Sequence, residues 1–182
     1  MSGPRARGKR ARSRAIIMHA AKGLFEEKGI NHVTFNDIAQ RADMCRTTIF
    51  NHFPTINSLM LAIMEQEVTD VLDYCDTSKY EGSELIVRLF EKLIDDVVAY
   101  PVFAIKLFAN SIINEEERKS VHLIEEKIAE HLSCEEDEKE SRIIMLTGIF
   151  YGLINHCIIA DETFDAPRMK QQFNQLAKPY LK

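Results

Sequence analysis

Apolar residues in this chain recur at helical spacing, stretch after stretch, from Ile16 to Ala160. Few segments alternate with period two, so strands with one buried face are not encoded. Glycine is sparse and tryptophan is absent, while aliphatic residues are plentiful. Together these features predict an all-α protein with a true core. The 182 residues are enough for one larger domain, or for two small ones sharing a boundary.

The first strong stripe is Ile16, Ile17, Ala20, Ala21, Leu24 and Phe25, which predicts a helix from about Arg12 to Lys28. Gly29 suits the position that ends it. Thr34, with Asp37 three residues on, has the form of a capping box opening a second helix over 35–42. Asp43 falls at a turn that asks for a left-handed residue. A third short helix follows over 45–52, and Pro54 stops it. Residues 1–11 combine Gly, Pro and basic side chains without periodicity, and are predicted to be a disordered basic arm.

The stretch TFNDIAQRADMCRTTIFNHF at 34–53 carries the chemistry. Phe35, Ile38, Ala39 and Ala42 form one apolar stripe, and Cys45, Ile49, Phe50 and Phe53 a second. Opposite the second stripe lie Arg46, Thr47, Thr48, Asn51 and His52. This face has a long cation, two hydroxyls, an amide and an imidazole, and no acid. Those groups can read base edges and hold phosphates. The pattern is that of a helix-turn-helix with a DNA-recognition helix.

The charge distribution supports this reading. The whole chain has a net charge of −5, which alone argues against nucleic acid. Residues 1–53, however, hold ten Lys/Arg against four Asp/Glu, and the remainder thirteen against twenty-four. A basic end on an acidic body is expected when only one end meets DNA.

Beyond Pro54, a helix over 56–76 is followed by a break at TSKYEGS, a helix over 83–99, a stop at Tyr100-Pro101 and a short helix over 102–113. Asn114 caps the next helix, with Glu115, Glu116 and Glu117 at the positive end of its dipole. Ser133 and Glu136 suggest a second capping box, opening a long helix to about 160. Asp165, Ala166 and Pro167 begin the last helix, which ends before Pro179. Within the long helix, residues 141–160 have more apolar surface than one face requires, and Gly148 and Gly152 permit a close helix approach. Such a helix wants partners on several sides: a second copy, or the interior of a monomer. Asn155 and His156 interrupt the run, against about 20 mostly apolar residues for a membrane span, so no membrane role is expected.

Other chemistries leave no trace in the sequence. No phosphate-loop, dinucleotide, nucleophile-elbow or HExxH motif occurs. Catalytic residues are not expected, nor is a cofactor. The one metal-like spacing is His131-x-x-Cys134, with His122, His156 and Cys157 distant, short of four converging ligands. Cys45, Cys75, Cys134 and Cys157 lie far apart without a CxxC pair, and most sit in apolar helical patterns. Buried free thiols in a reducing, cytoplasmic setting are therefore expected. No apolar run follows the basic N-terminus as a signal peptide would require.

Residues 12–60 resemble the DNA-binding domain of TetR-family transcriptional regulators. The resemblance rests on the first helix, the Gly29-Ile30 break, and Val33-Thr34 leading into Asp37-Ile38-Ala39. It continues through Ala42, Thr48-Ile49-Phe50-Asn51-His52-Phe53-Pro54 and Leu59. The chain departs from the family at Asp43 (usually Gly), Cys45 (usually Ser or Thr), Phe50 (commonly Tyr) and Ile56 (commonly Lys). Two backbone phosphate contacts of the family are thereby absent, which the basic arm is placed to offset.

The resemblance implies a TetR-like, all-α fold of about nine helices. It divides the chain into a basic arm at 1–11, a three-helix reading head at 12–56 and a regulatory and dimerisation body at 57–182. It implies a homodimer through the last two helices on a double-stranded DNA operator, and a repressor released by a small-molecule effector. The alternative is a DNA-binding regulator without effector, controlled through a protein partner. Arg46 is the expected guanine reader; Thr47, Thr48 and Asn51 would contact bases or adjacent phosphates, and Thr34 and His52 phosphates. The effector pocket is expected among Tyr74, Phe103, Leu107, Phe108, Phe150, Tyr151 and His156. Each of these is equally compatible with ordinary core.

Overall fold

The computed structural model describes residues 4–181. Among them are nine α-helices and no strand. They are α1 (Pro4–Lys28), α2 (Phe35–Ala42), α3 (Arg46–His52), α4 (Ile56–Thr77) and α5 (Gly82–Ala99), followed by α6 (Pro101–Ile113), α7 (Glu115–His131), α8 (Glu136–Ile159) and α9 (Ala166–Ala177).

Two hydrophobic clusters organise them. The first gathers Ile17, Leu24 and Phe25 of α1, Ile38 of α2, Ile49 of α3 and Leu59 of α4. Phe103 of α6 joins this cluster from outside the head, its ring parallel to that of Phe25 with centroids 6.1 Å apart. The second cluster lies among α4, α5, α7, α8 and α9. At its centre Phe90 meets Phe173 at 4.4 Å and Phe150 at 5.7 Å between centroids. α4 runs from one cluster into the other, contributing Leu59 and Ile63 to the first and Val71 and Cys75 to the second.

Local chemistry sets the helix ends of the head. Asp37 N–H donates to Thr34 Oγ1, while the Asp37 carboxylate accepts from Thr34 N–H at 2.9 Å, completing the capping box. Asp43 adopts the left-handed conformation at φ 51°, its N–H turned back to Ala39 and Gln40 carbonyls. Lys28–Asp37 and the two-pronged Arg41–Glu27 pair then fasten α2 to α1. In the body, Asp165 accepts from Arg168 N–H at 2.8 Å and caps α9.

Four local expectations change. α1 begins at Pro4, so residues 4–11 are helical rather than a disordered arm; the arm's residues 1–3 lie outside the described residues. Arg, Lys and Ala favour helix, and proline is accepted in a first turn. α8 begins at Glu136 behind Glu135, so Ser133 does not cap it; acids in its first turn complement its dipole instead. Cys45 is exposed, because it precedes α3 rather than lying on its buried face. Phe50 is exposed too, at 55%, next to the fully buried Ile49. A seven-residue helix buries only a narrow stripe, and Phe50 falls outside it.

α8 is long and apolar enough, by composition, to cross a membrane. Here Leu146, Phe150, Leu153, Ile154 and Cys157 are buried in the second cluster.

Candidate nucleic-acid interface and internal cavity

α3 is held by its one fully buried side chain, Ile49, and by Phe53 directly after it. This leaves Arg46, Thr47 and Asn51 exposed and Thr48 and His52 partly exposed on the outer side. The helix carries no acid. The N-terminal half of α1 runs beside it, and Lys9, Arg10 and Ser13 share a groove with Thr48, Asn51 and His52. Arg14 lies over the Phe53 ring at 4.4 Å. Burial, then the charges of Arg10 and Arg14, push His52 below its ordinary pKa. The imidazole is therefore neutral at pH 7, in a positive field that suits a phosphate.

The six expected DNA-contacting residues thus lie at the two ends of the α2–α3 unit. Arg46, Thr47, Thr48, Asn51 and His52 share the α3 face, while Thr34 stands at the start of α2. The Thr34 hydroxyl donates its one proton to Asp37 Oδ2 at 2.5 Å, so Thr34 reaches a phosphate only by giving up that bond. The Lys28 ammonium and the Thr34 donors hold the Asp37 carboxyl far below the ordinary carboxylate range. The Cys45 thiol lies 2.9 Å from the Thr48 hydroxyl; that contact and the first amides of α3 pull it below its ordinary pKa. Sequence reasoning missed Lys9, Arg10 and Ser13 as partners of α3, since it starts the first helix only near Arg12. The signal was present as basic residues recurring at helical spacing in 5–14.

The body contains a cavity of about 120 Å³. Five of the seven expected effector residues line it: Phe103, Leu107, Phe108, Phe150 and Tyr151. The other two do not. Tyr74 packs against the second cluster and is not part of the cavity wall, and His156 is exposed at the edge of the α8 stripe that buries Phe150, Leu153 and Cys157. The missed wall residues include Lys22 of α1, Glu67 of α4, Asp96 and Tyr100. Burial, and secondarily the Glu125 charge, raises the Tyr151 pKa.

Head and cavity share side chains. Phe103 belongs to the head cluster and to the cavity wall. The Glu26 carboxylate of α1 accepts from the backbone N–H groups of Val102 and Phe103 at 3.0 and 2.7 Å, so the head caps α6. Lys22, one turn earlier, pairs with Glu67 at 2.9 Å and stands 3.8 Å from the centre of the Tyr100 ring.

Among the described residues, no three His, Cys, Asp or Glu side chains gather as a metal site. His122 faces Glu125 and Glu126, each at 3.5 Å.

Residues 17–63 match the family model described as bacterial regulatory proteins, tetR family. An uncharacterized HTH-type transcriptional regulator of Mycobacterium tuberculosis is 32% identical over 63 residues, which are 35% of this chain and 33% of that protein. The match thus spans about a third of the curated relative's length. Among solved structures, a TetR transcription regulator from Haloarcula marismortui superposes with a TM-score of 0.76 at 16% identity, over 94% of this chain and 100% of that one. The transcriptional regulator FadR from Bacillus subtilis, in complex with stearoyl-CoA, gives 0.70 at 15% identity, over 92% and 97%. At these identities the structural likeness speaks for the fold.

Proposed function

The chain belongs to the TetR family through its N-terminal helix-turn-helix, and from that premise we propose that it is a sequence-specific DNA-binding repressor released by a small-molecule effector. The observation that carries the reading is the acid-free outer face of α3 flanked by the cations of α1. Arg46 is the base reader, since a guanidinium pairs with both acceptors of a guanine edge. Thr47, Thr48 and Asn51 contact neighbouring bases or phosphates, and His52, Arg10 and Lys9 hold the backbone. α1's basic first turns oppose its own dipole, and a phosphate there relieves the repulsion.

The reader works as a homodimer. Ile144, Gly148, Gly152 and Ile159 follow one another down an exposed face of α8, and Leu176 of α9 is half exposed. The two glycines have nothing within 4 Å of an added Cβ, so a second helix has room to approach there. The setting is cytoplasmic, where the DNA is, and no catalytic step is assigned.

The cavity supports the effector role, because Phe103, Lys22 and Glu26 tie its wall to the head. An occupant shifts the balance between dimers only by favouring one head spacing over another. Selection of binding sites from a random duplex library tests the reading. The expected product is a two-fold symmetric site with half-site centres one helical turn, about 34–36 Å, or a multiple apart. Recovery of no enriched sequence overturns it.

A further inference from the structure

We infer that the cavity takes a small lipophilic monocation, which competes with the Lys22 ammonium for the Glu67 carboxylate and the face of Tyr100. This rests on the effector reading above and names the chemistry of its ligand.

The cavity's deep wall is apolar and aromatic, with Phe90, Phe103 and Phe150 nearly fully buried. Its charged wall residues are Glu67, Asp96, Glu125 and Lys22, all partly exposed, so they stand at its open side. Three carboxylates against two ammonium groups, Lys22 on Glu67 and Lys92 on Asp96, leave a net negative charge that repels an anionic head group and attracts a cation. Asp96 is already bonded to Lys92, and among the described residues Glu125 has the 3.5 Å contact with His122. Glu67 is bonded to Lys22.

Lys22 shows what the site accepts. Its side chain is 12% exposed, with the ammonium 2.9 Å from Glu67, 3.8 Å from the Tyr100 ring centre and 5.9 Å from that of Phe103. A carboxylate beside aromatic faces is a cation site, and here the protein fills it with its own side chain. A quaternary ammonium carrying an aromatic group offers the same charge and adds an apolar part that fills the void behind. A primary ammonium is strongly hydrated and returns to water at little cost, whereas the ligand's apolar part gains by burial. The cavity, about 120 Å³, limits the ligand to a single ring or a short chain unless the wall moves. Lys22 and Glu26 lie one turn apart on α1 and fasten it to Tyr100 and the start of α6. Evicting Lys22 removes one of these two fastenings between head and body.

The test is calorimetric titration of the full chain with phenyltrimethylammonium, its neutral isostere tert-butylbenzene, and benzenesulfonate. The cation should bind about tenfold more tightly than the neutral isostere, as a desolvated cation–π contact beside a carboxylate implies. Lys22→Met should strengthen the cation several-fold relative to tert-butylbenzene, and Glu67→Gln should weaken it several-fold relative to tert-butylbenzene. Equal or tighter binding of tert-butylbenzene or benzenesulfonate overturns the inference on the native chain alone, whatever the variants do. So does binding of none of the three. Anisotropy of labelled operator DNA with each compound keeps the two claims apart. Release by the neutral or anionic compound, without release by the cation, overturns the cation and leaves the effector reading standing.

Discussion

The reading head and the body use the same building block, an amphipathic helix, in opposite ways. In the head, α1 to α3 and the start of α4, with Phe103 of α6, close around Ile17, Phe25, Ile38, Ile49 and Leu59, all fully buried. Apart from the exposed Phe50 and Ile16, what the head offers to a partner is polar and lies on its outside. The body leaves packing unfinished: a cavity between α4 and α8, and an apolar face along α8 from Ile144 to Ile159. A rigid core holds a reading surface in fixed geometry, whereas a void and an uncovered face provide room for a ligand and a second chain. Cavities cost stability in proportion to their size, so a void kept in an otherwise closed core is a candidate for use.

Phe103 is the side chain that belongs to both regions, and removing it tests their separateness most severely. Phe103→Ala should cost about 3–5 kcal/mol, read from urea unfolding of the full chain. A loss under about 1 kcal/mol would mean that head and body do not share this contact energetically. Arg46→Ala should leave unfolding unchanged, because Arg46 is exposed, and should cost on the order of 1–3 kcal/mol at a specific site. Equal losses on specific and random DNA would refute base reading by Arg46.

In the body, Ala104→Leu puts added volume into the cavity wall. It should stabilise the fold by about 0.5–2 kcal/mol and block ligand binding while leaving DNA affinity intact. Destabilisation with ligand binding retained would show that Ala104 does not border the ligand's site. The smallest expected effect is a pH dependence. His52 has a pKa below its ordinary value in the free protein, and a phosphate raises it. DNA binding therefore takes up a proton and tightens a few-fold as pH falls through the histidine range; His52→Gln should flatten that profile.

The contrast between the regions also decides what could be read from the sequence. The head was legible because its chemistry is local. The Thr34–Asp37 box, the Asp43 turn and the Arg46–His52 face sit within twenty consecutive residues, and periodicity alone separates their inner and outer sides. Even there, Phe50 was misplaced, since spacing does not tell how narrow a stripe a seven-residue helix buries. The cavity is non-local. Five of its expected residues line it because they are large apolar groups on α6 and α8. Tyr74 and His156 do not, since helix rotation against neighbours far along the chain is not written in either helix alone. Lys22 was invisible as a wall residue for the same reason: its partners Glu67 and Tyr100 lie forty-five and seventy-eight positions away. Gly and Pro before Arg12 mask the helical continuity of the basic run.

The role proposed for the outer face of α3 is to read DNA sequence. Its most direct measurement is the ratio of affinities for a selected operator and for random duplex of the same length, by fluorescence anisotropy at one fixed salt concentration. Sequence reading by this face gives a ratio of about 10³ or more. A ratio near one, with both affinities falling together as salt rises, would show that this face holds phosphates alone and would contradict it.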